Sequence, residues 1–420
     1  MDGITVAQAA TWGIAAIATG GVILRPWGLP EAIWAVSGAA LLVAAALLPW
    51  WDALAAVEKG TDVYLFLTGM MLLAELARRE GLFDWLAVHA AMAAKGSAAR
   101  LFGLVYLVGI VVTVFLSNDA TAVVLTPAVY AVAKAAKANP LPYLVICAFI
   151  ANAASFVLPI SNPANLVLYG SKMPPLWPWL QQFALPSFFS IAATYAGLRW
   201  IYRHEVRARI EDQIPTLPLS KGGRYAACGI GVTAIVLLLA SALDYQLGAP
   251  TCAAGAATAL LVLIEKREFP WPLLRGVSWG VLPLVAGLFV LVEGLNNTGV
   301  VSDLTNLLNW GLEQSLTATA WIAGVGLAFV TNLMNNLPAG LIAQSAIQPV
   351  HPPAVITGGL LIGVDLGPNL SVTGSLATIL WLTALRREGV ICTAGEFLES
   401  GMIVMPAALI LALGALILTS

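Results

Sequence analysis

Apolar stretches long enough to cross a bilayer as helices recur from end to end of the chain, at 4–24, 32–48, 226–243 and 402–418 among others. The whole pattern predicts spans at about 4–24, 32–50, 63–78, 101–130 and 178–202, and again at 225–245, 250–264, 276–293, 317–346 and 401–419. Before the last span of each set lies an apolar segment interrupted by polar residues, 141–172 and 354–386, read as a hairpin that returns to its own side. The pattern therefore predicts an all-α polytopic membrane protein. Each half holds five spans plus a re-entrant hairpin, and each has a discontinuous helix. Between the halves, "RHEVRARIEDQIPTLPLSKGGR" (203–224) is the one soluble-looking stretch. The chain divides there into a first half 1–204, a linker 205–224 and a second half 225–420.

The pattern fails in mid-span at two matched places. "FLSNDATAVVLTP" (115–127) brings Ser117, Asn118, Asp119, Thr121 and Pro127 into an apolar run. "VTNLMNNLPAG" (330–340) does the same with Asn332, Asn335, Asn336 and Pro338. An amide in hydrocarbon without a partner is costly, and a mid-helix Asp costs roughly 2.5–3.5 kcal/mol on insertion scales. Pro338 and Pro127 each remove a helical hydrogen bond and crowd the carbonyl four residues back, so each helix is expected to break near mid-membrane. The two hairpins carry similar breaks around Ser161-Asn162 and Thr373-Gly374-Ser375. Exposed helix ends and side-chain amides then make a polar spot for a small solute. The plainer reading is a proline kink with Asn plugging freed backbone groups, and its weakness is that the arrangement occurs twice.

An odd number of spans per half inverts the second half relative to the first. Glu75 and Glu293, Gly81 and Gly299, and Asn118 and Asn336 are each 218 residues apart, and "LLAELARREGLFDWL" resembles "LVEGLNNTGVVSDL". Inverted repeats with broken helices characterise secondary transporters. "GLFDWLAVHAAMAAKG" and "GVVSDLTNLLNWGLEQS" read as amphipathic helices lying at the two interfaces, with Glu75 and Glu293 in structural roles near helix ends.

Composition fits this picture: 60% of the 420 residues are hydrophobic and 10% charged, where soluble domains run near 25%. No Lys/Arg patch suggests a nucleic-acid partner. The linker's Arg203, Arg207, Arg209, Lys221 and Arg224 place it in the cytoplasm by the positive-inside rule. Walking outward from it puts all 13 Arg inside, leaves Lys59, Lys134, Lys137 and Lys172 outside, and places both termini outside. The N-terminus lacks a basic leader and cleavage site, so the first span is expected to stay in the plasma (inner) membrane protein. Cys147, Cys228, Cys252 and Cys392 show no ligand spacing, and His89, His204 and His351 are scattered, so neither a metal nor a cofactor is expected.

At "NDATAVVLTP", "ISNPANLV", "NLMNNLP", "DLGPNLSVTGSLATILWL" and "GLFDWLAVH" the chain resembles an arsenite efflux permease of the ArsB family, over nearly its whole length. That family lies within a larger ion-transporter (ArsB/NhaD) superfamily that includes dicarboxylate and sodium/proton carriers. The family usually has Gly-Ala after Asn-Asp where this chain has Ala120-Thr121, and often Asp where this chain has Asn152. The resemblance implies export of arsenite and antimonite by an elevator-like motion driven by the proton gradient. It also implies, for some relatives, a soluble arsenite-stimulated ATPase partner; the chain itself has no GxxxxGK[ST].

The residues suit such a cargo. Neutral arsenous acid carries three hydroxyls, each a donor and an acceptor, and Ser117, Asn118, Asn162, Asn335, Asn336, Thr373 and Ser375 offer matching amides and hydroxyls. The breaks contain no Arg, Lys or His, which argues against a multiply charged anion such as citrate. Asp119 and Asp365 are the candidates for proton coupling, with helix capping as their plainer role. The nearest alternative is a sodium/proton antiporter of the same superfamily. An intramembrane aspartyl protease lacks its Tyr-Asp and Gly-x-Gly-Asp contexts here, and a channel fits paired broken helices less well than alternating access does.

Overall fold

The computed structural model describes residues 5–211 and 218–420, and the regular elements among them are all helices. Linker positions 212–217 lie outside the described residues. The first half comprises α1 (Val6–Leu24), α2 (Glu31–Ala44), α3 (Trp50–Lys59), α4 (Thr61–Arg79), α5 (Leu82–Ala94), α6 (Ala98–Phe115), α7 (Thr126–Ala135), α8 (Leu141–Ala153), α9 (Pro163–Tyr169) and α10 (Leu176–Ile201). The second comprises α11 (Lys221–Ala242), α12 (Gly248–Lys266), α13 (Trp271–Gly276), α14 (Val281–Asn296), α15 (Val300–Gln314), α16 (Leu316–Met334), α17 (Asn336–Ile347), α18 (Ala354–Leu366), α19 (Leu376–Arg387) and α20 (Ala394–Leu418).

Matched starts have matched causes. Ser97 and Ser315 cap α6 and α16, each accepting the backbone N–H three residues on. Gly81 (φ 74°) and Gly299 (φ 91°) take the left-handed conformation that turns the chain into α5 and α15, a conformation in which a side chain would be strained. The two turned helices differ in depth. α5 buries Leu82, Phe83, Ala87, Val88 and Ala91, whereas α15, bent 73° from α14, buries Val301 alone. The expectation of two interfacial amphipathic helices thus describes α15 better than α5. The amphipathic turn α3 escaped the sequence reading; it bends 48° into α4.

One expectation about topology is corrected. The segment 101–130 was expected to cross the membrane and 141–172 to turn back; their roles are exchanged. Linker residues Ile210 and Glu211 donate to Gly96 O and Ala136 O at 3.0 and 2.9 Å, and Lys137 pairs with Glu211 at 3.2 Å. The start of α6 and the end of α7 therefore lie together on the linker face, so α6 and α7 form the hairpin. The Tyr143 hydroxyl reaches Ala98 O on that face, while α9 ends beside the α17–α18 turn on the opposite one. The pair α8–α9 therefore crosses, with its break in the middle. In the second half, Thr305 of α15 bonds Ala346 O near the end of α17, so α16–α17 turn back and α18–α19 cross. Lys134 and Lys137 move to the linker face, leaving Lys59 and Lys172 as the basic residues assigned to the other side, and His351 joins Lys172 there.

Helices α1–α4 pack chiefly with α11–α14, and α6–α10 with α16–α20. Glycines allow the close crossings: Gly69 of α4 lies against the Thr251 carbonyl of α12, and Gly363 of α18 against the Gly324 carbonyl of α16. The two groups meet where α4 and α14 cover α9, α17 and the break between α6 and α7.

Candidate functional site

Four chain breaks converge at the centre, and each has a local cause. Between α6 and α7 the helix stops at Leu116; Ser117 Oγ accepts Ala120 N–H at 3.2 Å and Asn118 Oδ1 accepts Asp119 N–H at 2.9 Å. Pro127 does not make that break: a π-helical stretch, Ala120–Leu125, absorbs its missing donor. Between α16 and α17, Asn335 adopts φ 76°, donates its N–H to Thr331 O at 2.8 Å and caps Leu337. Pro338 then falls in the first turn of α17, where a missing N–H costs nothing. In the crossing pairs, Asn162 caps α9 and Ser375 caps α19, with Pro163 opening α9.

Polar side chains tie these breaks into one unit. Asn162 Nδ2 donates to Asp365 Oδ1 at 2.7 Å and to Ser155 Oγ at 3.3 Å, while its Oδ1 accepts Ala164 N–H at 2.9 Å. Asn152 donates to Asn369 Oδ1 at 2.9 Å, and Asn369 to Phe149 O at 3.1 Å. Trp381 Nε1 reaches Leu144 O at 2.8 Å, so the two broken crossings brace each other. Asn332 fastens the second hairpin: it donates to Gly367 O and accepts from the Ser371 hydroxyl at 2.6 Å, and Thr373 donates to Asn332 O. Ser161 fastens the first by donating to Val114 O.

The space left at the centre is about 10 Å³, close to the room one water needs. Asn118, Asp119, Asn162, Asn336 and Ser375 line it, with Pro163, Leu67 of α4, Val281 of α14 and Leu337, Leu376 and Ala377. Asp119 is the one ionisable group in that lining. The starts of α17 and α19 and of the helical turn at Asn118 border it, so the positive ends of their dipoles supply partial charge without any cationic side chain in the lining. Leu67, Asp119, Pro163 and Val281 also line a vestibule of about 500 Å³. It runs to the linker face past Glu75, held bidentately by Arg78 at 2.6 and 2.7 Å, and past Arg387 and Glu388.

The structure thus brings five of the nine candidate residues to one cavity. Ser117 lines the vestibule, and Asn335 sits behind Asn336 as a cap. Thr373 is turned to the Asn332 backbone, and Asp365 is fully buried behind Asn162 with Oδ2 unpartnered among the described residues. Asn162 itself has both amide hydrogens engaged, so it shapes the cavity more than it offers donors. Asn336, the Asn118 amide hydrogens and the Asp119 carboxyl carry no side-chain hydrogen bond among the described residues. Sequence reasoning missed Leu67 and Val281, which come from helices without a polar signal, and did not place Asn332, whose fastening role needs the fold.

Comparison with known proteins agrees with this architecture. The crystal structure of the Alcanivorax borkumensis YdaH transporter aligns over 99% of this chain and 98% of its own, with TM-score 0.55 and 14% identity. An arsenical pump membrane protein of Yersinia enterocolitica is 29% identical over 371 residues, covering 83% of this chain and 84% of its own length. An Escherichia coli protein of the same description is 27% identical over 419 residues, 94% and 95% of the two chains. The profile of the citrate transporter family, CitMHS, matches residues 14–369. With its apolar helices, paired chain breaks and central polar cavity, the chain is a multi-pass membrane transporter and belongs to the CitMHS citrate transporter family.

Proposed function

We propose that this chain exports arsenite and antimonite from the cytoplasm, as neutral trihydroxy acids, in exchange for entering protons. One observation carries the reading. The central cavity offers Asn118, Asn336 and Ser375 with a single carboxyl, Asp119, and no Lys, Arg or His. A trihydroxy acid can donate to Asp119 and accept from the amides; a tricarboxylate would find no cationic partner in the lining. The arsenical pump relatives support this substrate class.

Asp119 carries the proton in this scheme, since it borders both the cavity and the vestibule. Asp365, behind Asn162, is the second coupling group. The halves 1–204 and 225–420 act as inverted repeats joined by the cytoplasmic linker 205–224, with both termini outside. The vestibule then faces the cytoplasm, and an elevator-like shift of the group α6–α10 and α16–α20 against α4 and α14 carries the cavity to the other side. The protein sits in the plasma membrane in this reading, and a soluble arsenite-stimulated ATPase would meet the linker face. A sodium/proton antiporter is the second reading, because the Asp119 carboxylate beside the Asn118 and Ser117 oxygens could also hold sodium.

Arsenite uptake into energised inside-out vesicles, with and without a protonophore, tests both. Uptake that collapses with protonophore and in Asn336→Ala supports efflux. Intact sodium-dependent proton flux without arsenite uptake supports the antiporter. Full gradient-driven transport by Asp119→Asn would remove Asp119 from the coupling.

A further inference from the structure

A second polar cavity, of about 340 Å³, lies on the face opposite the linker, where α9 ends beside the α17–α18 turn. Its charge differs in kind from the vestibule's. There, Arg78 and Arg387 are matched by Glu75, Glu388 and Asp119. Here no carboxylate lines the wall, and its charged side chain is Lys172. Lys172 Nζ lies 3.0 Å from His351 Nδ1, so the ammonium donates to an imidazole that must be neutral to accept. The two residues come from opposite halves of the chain. Tyr169 also lines the cavity, with its hydroxyl buried away from it and without a hydrogen-bond partner among the described residues. Gln344 and Gln348 add two amides.

We propose that this cavity is a binding site for a phosphate group, supplied by inorganic phosphate or by a phospholipid headgroup. Two basic groups facing each other without an acid leave donors that an oxyanion satisfies. Lys172 gives one charge-assisted bond, a ring N–H of His351 a second, and a glutamine amide a third. The ligand bridges the far ends of α9 and α17, whose near ends, Pro163 and Asn336, line the central cavity. Occupancy stiffens the two helices that carry the transport site.

Calorimetric titration of the purified protein with inorganic phosphate in neutral detergent tests the free-ion source. Native mass spectrometry of protein released from nanodiscs containing phosphatidylglycerol tests the lipid source. Lys172 and His351 are exposed, so Lys172→Gln and His351→Gln should fold; unchanged thermal unfolding checks this. Lys172→Gln is expected to weaken binding about tenfold, and His351→Gln to weaken it by a smaller factor, about threefold. Retention of phosphatidylglycerol without free-phosphate binding, lost in Lys172→Gln, assigns the headgroup as the source. Absence of both ligands from the wild type, or binding by both variants equal to the wild type, overturns the proposal.

Discussion

Asn162 joins two functions in one side chain, and its removal should separate them by measurable amounts. It caps α9 through Ala164 N–H and holds Asp365 Oδ1 at 2.7 Å. Losing a cap of this kind costs about 1 kcal/mol. Stranding a fully buried carboxyl that already has one unpartnered oxygen costs about 1–3 kcal/mol more. Asn162→Ala should therefore lose about 2–4 kcal/mol, enough to be read by SDS-induced unfolding in mixed micelles followed through tryptophan fluorescence. The partner variant Asp365→Leu removes the group that would be stranded, so in that background Asn162→Ala should lose only the cap. The expected coupling energy in the double-mutant cycle is about 1–3 kcal/mol. Additivity within about 0.5 kcal/mol would refute the inference that Asn162 shields Asp365.

Three further outcomes follow from other parts of the structure. In a cysteine-free background, Lys137→Cys should be labelled by a membrane-impermeant maleimide from the same side as Lys95→Cys, and Lys172→Cys from the other; labelling of Lys137→Cys together with Lys172→Cys would restore the topology in which 101–130 crosses. That background should itself keep arsenite efflux, because none of Cys147, Cys228, Cys252 or Cys392 lines the central cavity, and lost efflux at normal expression would contradict the amide-and-hydroxyl reading. Gly69→Ala should lower the unfolding midpoint, as its methyl would meet the Thr251 carbonyl at a cost of about 1–3 kcal/mol, while Gly13→Ala, with open space around it, should be neutral or slightly stabilising.

Much of this fold can be read in one dimension. The helices and their interruptions fall largely where the apolar pattern puts them, because backbone satisfaction in lipid leaves few alternatives to a helix. What cannot be read is which interrupted segment crosses and which returns. A re-entrant hairpin and a broken span share one local code: an apolar arm, a polar break and a second apolar arm. Their difference lies in contacts far apart in sequence, such as Glu211 with Ala136. A hint was present in the charges, since Lys134 and Lys137 sit more naturally with the other basic residues on the linker face. Within the site, the direction of each side chain was equally hidden. Asn162, Asn335, Asn336 and Thr373 are alike as polar residues at breaks, yet Asn336 is the one of these four that lines the cavity with its amide unengaged among the described residues.

The helix starts around the central cavity place its positive field in the main chain. Such a field does not titrate, is not neutralised by covalent modification of side chains, and survives nearly every point substitution nearby. Under the proposed function, changes at Asn118, Asn336 or Ser375 would alter selectivity while the attraction for oxygen-rich cargo persists. In that reading the main chain is a permanent electrostatic bowl, and the side chains around it are its replaceable lining.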